Sequence, residues 1–250
     1  MLMKLRYYVL LAVFSCLFFV VALFPAGLAY DLMPKSVVQG LPVSIQTVGG
    51  TVWDGFAVGK VRRGPVKGQH MVAWDMNLLR LLIADVSADL KVEGADFKVE
   101  GMAHTGFFGK GFSGLNGQVD ASLVNGMLKQ FGAQVVGELL IKDMMLEFGD
   151  ENIIEEASGQ LNWEGGPVSY KDGRRTRSVE LPPIQGVLAE QDGGMQLAVV
   201  EKKSKKRLGQ LTLKGSIGGV VVYNRVMTIT DMGNPANEDE VLIQLQRPVF

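Results

Sequence analysis

Apolar and polar residues alternate along most of this chain. Val86, Ala88, Leu90 and Val92 interleave with Ser87, Asp89, Lys91 and Glu93, and Ala95, Phe97 and Val99 interleave with Asp96, Lys98 and Glu100. The parity flips at Gly94, which predicts a bulge or a turn there. His70, Val72, Trp74 and Met76 share one face of another strand, and further strands are predicted at 43–48, 138–148, 195–201, 208–214, 219–230 and 240–246. A period of two with one apolar face reads as half-buried antiparallel strands. Two short helices interrupt the pattern. One runs from Asn77 to Ile83; the other is capped by Asp120, carries Leu123, Met127, Leu128 and Phe131, and is closed by Gly132. The predicted fold is mainly β: a curved antiparallel meander with one or two short helices.

A glycine recurs ahead of apolar alternation at Gly117, Gly137, Gly159, Gly186 and Gly209, at steps about the length of a hairpin. Two readings fit: glycines that end strands, as in any meander, or a sheet that grows by repeated hairpins. The stretch 164–183, with Gly165-Gly166-Pro167 and Pro182-Pro183, reads as irregular. It either divides the sheet into halves 43–163 and 184–250 or interrupts one continuous sheet.

The first thirty residues break the alternation, since 25 of them are apolar. Tyr7 to Tyr30 carries no charge over a length that can cross a bilayer core of ~30 Å. Lys4 and Arg6 precede this run and only Lys35 follows before Lys60, so residues 1–6 are predicted to stay cytoplasmic. An uncleaved anchor at 7–30, a linker at 31–42 and an exported β domain at 43–250 follow. A cleaved signal peptide ending near Gly27 and Ala29 is the competing reading. Either way the body is extracytoplasmic. Cys16, the only cysteine, lies inside the apolar run, so the body can form no internal disulfide.

Lys and Arg number 25 against 26 Asp and Glu, so no field draws nucleic acid. Catalytic chemistry is sparse. The two histidines, His70 and His104, belong to no metal-ligand spacing, and no nucleophile elbow or phosphate loop occurs. No cofactor is implied. His70 reads as a hydrogen-bonded sheet residue. Asp31, Asp54, Asp75 and Asp85 can pair as carboxylates in principle, though each sits beside a turn where Asp is common. The charged run Glu201 to Arg207 lies between two alternating segments and reads as a solvated hairpin tip rather than a headgroup patch. In Gly106-Phe-Phe-Gly-Lys-Gly-Phe, the residues Phe107, Phe108 and Phe112 either plug the core or contact a partner or lipid.

Gly49-Gly50-Thr51-Val52-Trp53-Asp54-Gly55, followed by Val72-Ala73-Trp74 and Leu78-Leu79, resembles the type II secretion system protein N family. The specific positions are Gly50, Thr51, Trp53, Gly55 and Trp74. The resemblance implies a bitopic inner-membrane protein with a periplasmic β domain, accessory to protein export and working with other secretion components, and it brings no catalytic residues. Read physically, Thr51 to Trp53 end a strand, Asp54-Gly55 turn, and the two indoles bury together in a structural role. A rival reading is an apolar sheet face that holds or passes lipid between membranes, as in proteins resembling the AsmA group. An outer-membrane barrel is discarded, since the long apolar run would retain it in the inner membrane.

Overall fold

Alternation becomes register in the computed structural model, which describes residues 2–248 apart from 41–42, 62–65, 82, 107–108, 129–131, 150–152, 173–174, 231–232 and 234–235. Thirteen antiparallel strands form one sheet: β1 (Val43–Gly50), β2 (Asp54–Val61), β3 (Gly68–Met76), β4 (Asp85–Glu93), β5 (Phe97–Gly106), β6 (Gly109–Asp120), β8 (Glu138–Phe148), β9 (Ile154–Trp163), β12 (Ile184–Gln191), β13 (Gly194–Glu201), β14 (Arg207–Lys214), β15 (Ile217–Tyr223) and β16 (Val241–Pro248). They lie side by side in chain order, so the sheet grows by hairpins. Gly94 falls in the turn between β4 and β5, where its N–H donates to Phe97 O at 2.8 Å. The parity flip is therefore a turn.

Cross-strand partners share a face, and one row of partners runs through all thirteen strands. It reads Val48, Ala57, Val72, Val92, Val99, Gly117, Ile141, Leu161, Gly186, Val199, Gly209, Val222, Ile243. Every member is apolar or glycine. Three of the recurring glycines stand in this row, inside strands rather than at their ends. They sit where neighbouring chain comes close: a Cβ on Gly117 would overlap Lys98 O, and one on Gly209 would lie 2.7 Å from Val221 O. The opposite face carries Asp89, Lys91, Glu100, Gln118, Gln160 and Gln210.

The apolar face is thinly covered. Among the described residues only eight apolar side chains are buried, and the one buried cluster, Ile154, Ala157 and Leu188, packs with Met144, Leu146, Phe148, Met195 and Leu197. This single layer of sheet thus buries its own face only where β8, β9, β12 and β13 meet.

The stretch 164–183 is not irregular. It forms β10 (Gly166–Asp172) and β11 (Arg175–Leu181), which join β7 (Ala133–Val135) in a second, three-stranded sheet. Neither does it divide the main sheet, because Ile184 pairs directly with Trp163 across it. The sequence reading missed these strands because Arg175, Thr176, Arg177 and Ser178 are all exposed, leaving little apolar alternation to see.

The predicted helices appear as α4 (Leu78–Leu81) and α5 (Ala121–Leu128), the latter with Asp120 Oδ1 accepting from Ser122 N–H at 2.7 Å. Phe131 lies outside the described residues. The strand expected over 219–230 stops at Tyr223, and α6 (Arg225–Ile229) replaces its end. The buried Arg225 turns the chain there by binding Glu238, Asp239 and Arg207 O at 3.0, 2.8 and 3.1 Å.

The uncharged run 7–30 is not one helix. Here α1 (Leu2–Ala22) ends before Pro25, and α2 (Ala26–Leu32) starts after it. Proline lacks the N–H that would continue the first helix. The uncharged part of α1, 16 residues from Tyr7 to Ala22, spans roughly 24 Å at 1.5 Å per residue. Among the described residues no helix is long and apolar enough to cross a membrane. The predicted linker also differs, since it contains the end of α2 and α3 (Lys35–Gly40).

Candidate functional site

The turn between β1 and β2 is Thr51 to Trp53, expected to end a strand, while Asp54 and Gly55, expected to turn, open β2; the residues of this Gly50–Gly55 segment hold one another. Thr51 N–H donates to Asp54 O at 2.8 Å, while Thr51 Oγ1 accepts from the N–H groups of Trp53 and Asp54 at 3.3 and 3.0 Å. Gly50 has φ of +78°, and a Cβ there would stand 2.5 Å from Asp54 O. At Gly55 a Cβ would meet Thr51 O at 2.6 Å and Trp74 Cζ2 at 2.7 Å. Both glycines are therefore demanded by close approach, and Gly50 by its conformation as well.

This turn sits on the end of α1. The Trp53 indole N–H donates to Val21 O at 2.8 Å, Val52 N–H donates to Phe24 O at 3.0 Å, and Thr51 bridges to Pro25. The last carbonyls of a helix have no partner within it, and here the turn supplies donors to two carbonyls at that end. Trp74 completes the arrangement by donating its indole N–H to Val52 O at 3.1 Å. The two tryptophans were expected to bury together. Both are half-buried instead, and they are connected through the Val52 peptide, because each indole N–H needs a carbonyl. Residues 50–55 and Trp74 thus form a clamp joining β1, β2 and β3 to the helix end.

The other expected residues fall in separate places. Phe112 lies on the apolar face, edge-on to Phe148 at 6.5 Å, and is 39% exposed. Phe107 and Phe108 lie outside the described residues. A cavity of about 490 Å³ opens on this part of the sheet, lined by Val86, Ala88, Ala103, Phe112, Phe148 and Lys110 among others. His70 differs from expectation: neither of its buried ring nitrogens has a hydrogen-bond partner among the described residues, and the ring lies 5.3 Å from Phe97. It faces the apolar row, where no acceptor is within reach. His104 Nε2 meets Glu147 at 3.0 Å.

Of the four aspartates, Asp54 and Asp75 are cross-strand partners, and Asp75 also partners Asp89. All three are exposed, in an open groove of about 720 Å³ that also holds Lys91 and Glu100. Asp85 pairs with Arg80 at 3.3 Å, and Asp31 lies on α2. The charged run 202–206 is a hairpin tip between β13 and β14, held by Glu201 N–H donating to Lys206 O.

Two groups escaped the sequence reading. Trp163 is the most buried tryptophan, 6% exposed, and donates to Val136 O at 2.9 Å, tying the two sheets together. Arg225 anchors α6. Only pairing across distant segments reveals either residue's role.

The arrangement offers shape and surface. A sequence model of the type II secretion system protein N family matches residues 42–220, from just before β1 into β15. The chain belongs to this family. The clamp residues Gly50, Thr51, Trp53, Gly55 and Trp74 all fall inside the matched span, whereas α1, α6 and β16 lie outside it. No curated protein and no solved structure matches the chain.

Proposed function

We propose that this chain is a non-enzymatic component of the type II secretion machinery, held at the inner membrane by its N-terminal apolar segment. Residues 1–6 stay in the cytoplasm and the body from residue 43 works in the periplasm, binding other secretion components. Family membership over residues 42–220 carries this reading. The apolar, uncharged residues Tyr7–Ala22 of α1, preceded by Lys4 and Arg6, support the anchoring. Gly50, Thr51, Trp53, Gly55 and Trp74 serve as the structural joint between anchor and body, and partner contact falls to exposed sheet positions and loops. Photocrosslinkers at Phe56, Lys203 and Tyr223 of the full chain in intact membranes test it. Adducts to other secretion components are expected. Adducts to phospholipid alone would refute the assembly role.

A second reading rests on one observation, the thinly covered apolar face with its cavity of about 490 Å³. In it the face binds lipid. Native mass spectrometry of the gently solubilised chain would show bound lipid, and a lipid-free spectrum would count against it.

A further inference from the structure

The clamp is bonded to a second apolar surface that takes no part in it. Met76 N–H donates to Trp53 O at 2.6 Å, so β3 ends against the clamp, and α4 follows at once. Asn77 Oδ1 accepts from Leu79 N–H at 3.1 Å and starts this single turn of helix, which packs on β4. Residues 78–83 read Leu-Leu-Arg-Leu-Leu-Ile. Leu81 is half-buried, whereas Leu78, Leu79 and Ile83 are 48%, 77% and 58% exposed. Arg80, the one charged residue of the six, pairs with the buried Asp85 at 3.3 Å. Leu79 is as bare as the side chains of α1, where all residues from Tyr7 to Ala22 except Ser15 and Ala22 are exposed.

We propose that Leu78, Leu79 and Ile83 contact the acyl chains of the bilayer that holds α1, making the turn between β3 and β4 a second membrane contact beside the anchor. This rests on the anchoring reading given above. The depth follows from length. The uncharged part of α1 spans roughly 24 Å against a bilayer core of ~30 Å. With Lys4 and Arg6 at the cytoplasmic face, Ala22 therefore stops about 6 Å beneath the opposite face of the core. A span that is too short is met by local thinning of the bilayer or by snorkelling of flanking residues. Either way the outer bilayer surface comes to the clamp, where Trp53 and Trp74 find the level that indoles favour. The segment 78–83, joined to Trp53 through Met76, meets the lipid at the same level. A bilayer is the occupant because α1 already places one at this end of the sheet, and exposed apolar side chains on an interfacial turn bind by burial among acyl chains. The β13–β14 tip at Lys202 to Lys206 lies at the opposite end of the strands by register, about 26 Å away for an eight-residue strand.

Phe14→Cys, Leu79→Cys and Lys203→Cys, each in full-length Cys16→Ser protein and labelled with nitrobenzoxadiazole, test the contact. The vesicles are phosphatidylethanolamine and phosphatidylglycerol, with and without doxyl-labelled lipid. Quenching at Leu79→Cys is expected to be at least three-fold stronger than at Lys203→Cys. Quenching at Leu79→Cys no greater than at Lys203→Cys overturns the proposal, and if Phe14→Cys is quenched in the same vesicles the anchor stands without it. An unquenched Phe14→Cys refutes the anchor and takes this contact with it. Benzophenone at position 79 in intact membranes should give phospholipid adducts; adducts to protein in their place overturn the proposal.

Discussion

Replacing Gly117 by alanine tests the apolar row most directly. A Cβ at Gly117 would overlap Lys98 O and lie 2.8 Å from Val99 Cα, about 0.7 Å inside the ~3.5 Å of ordinary carbon contact. Both obstacles are backbone of β5, and Gly117 is also paired with Ile141 of β8, so the strand cannot retreat without disturbing a second ladder. Overpacking of this kind costs roughly 1–3 kcal/mol, and Gly117→Ala belongs at the upper end. At Gly209 one carbonyl, Val221 O at 2.7 Å, is the obstacle, so the loss should be about 1–2 kcal/mol. At Gly186 the obstacle is the Leu197 side chain, 2.9 Å away at Cδ1, which can rotate; the loss there should stay under about 1 kcal/mol. Gly126 in α5 has nothing within 4 Å, and Gly126→Ala should gain about 0.5–1 kcal/mol from helix propensity. Urea titration of the full chain in detergent, followed by far-ultraviolet dichroism, gives all four midpoints. A wild-type midpoint for Gly117→Ala, or Gly186→Ala more damaging than Gly117→Ala, would refute the reasoning.

Trp53→Phe keeps the ring and removes the donor to Val21 O, so the helix end should loosen. Amide exchange at Leu23 and Phe24 should quicken several-fold while β8 and β9 stay unchanged, and an unchanged rate at Leu23 would contradict the clamp. Trp163→Phe loses the bond to Val136 O and should cost about 1 kcal/mol, read as a lowered urea midpoint; no shift would sink it. Asp75→Asn removes the middle carboxylate of three abreast and should stabilise by roughly 0.2–1 kcal/mol at low salt, with the gain shrinking as salt rises. The Arg225 hydrogen bond holds the Glu238 carboxyl below its usual range. Glu238 therefore adds stability above the unfolded carboxyl range, and this contribution disappears as pH falls through its lowered value. Wild type and Glu238→Gln should differ most near neutrality and converge in acid, so a pH-independent difference in thermal midpoint would contradict this.

Strands and turns were legible wherever a period of two was unbroken. Residues 138–148 form a strand as read, and Gly94 turns the chain where the parity flips, because a pleat puts every second residue on one side whatever else the chain does. The Gly50–Gly55 element was legible as a family signature, but its turn falls at Thr51 to Trp53, read as a strand end, whereas Asp54 and Gly55, read as the turn, open β2. Its attachment to the end of α1 was not legible, because Val21 and Phe24 become its partners only once the chain folds back at Pro25. Arg175 to Ser178 carry too little apolar pattern to announce β11, and Arg225 looks like any surface arginine until Glu238 and Asp239 arrive beside it. The glycine recurrence was visible, yet its meaning depends on register: Gly117, Gly186 and Gly209 share one row only because ten other strands space them there. Local sequence determines which way each side chain points along its own strand. Which side chains meet is decided by pairing between segments far apart in the chain, and that information exists only in the folded sheet.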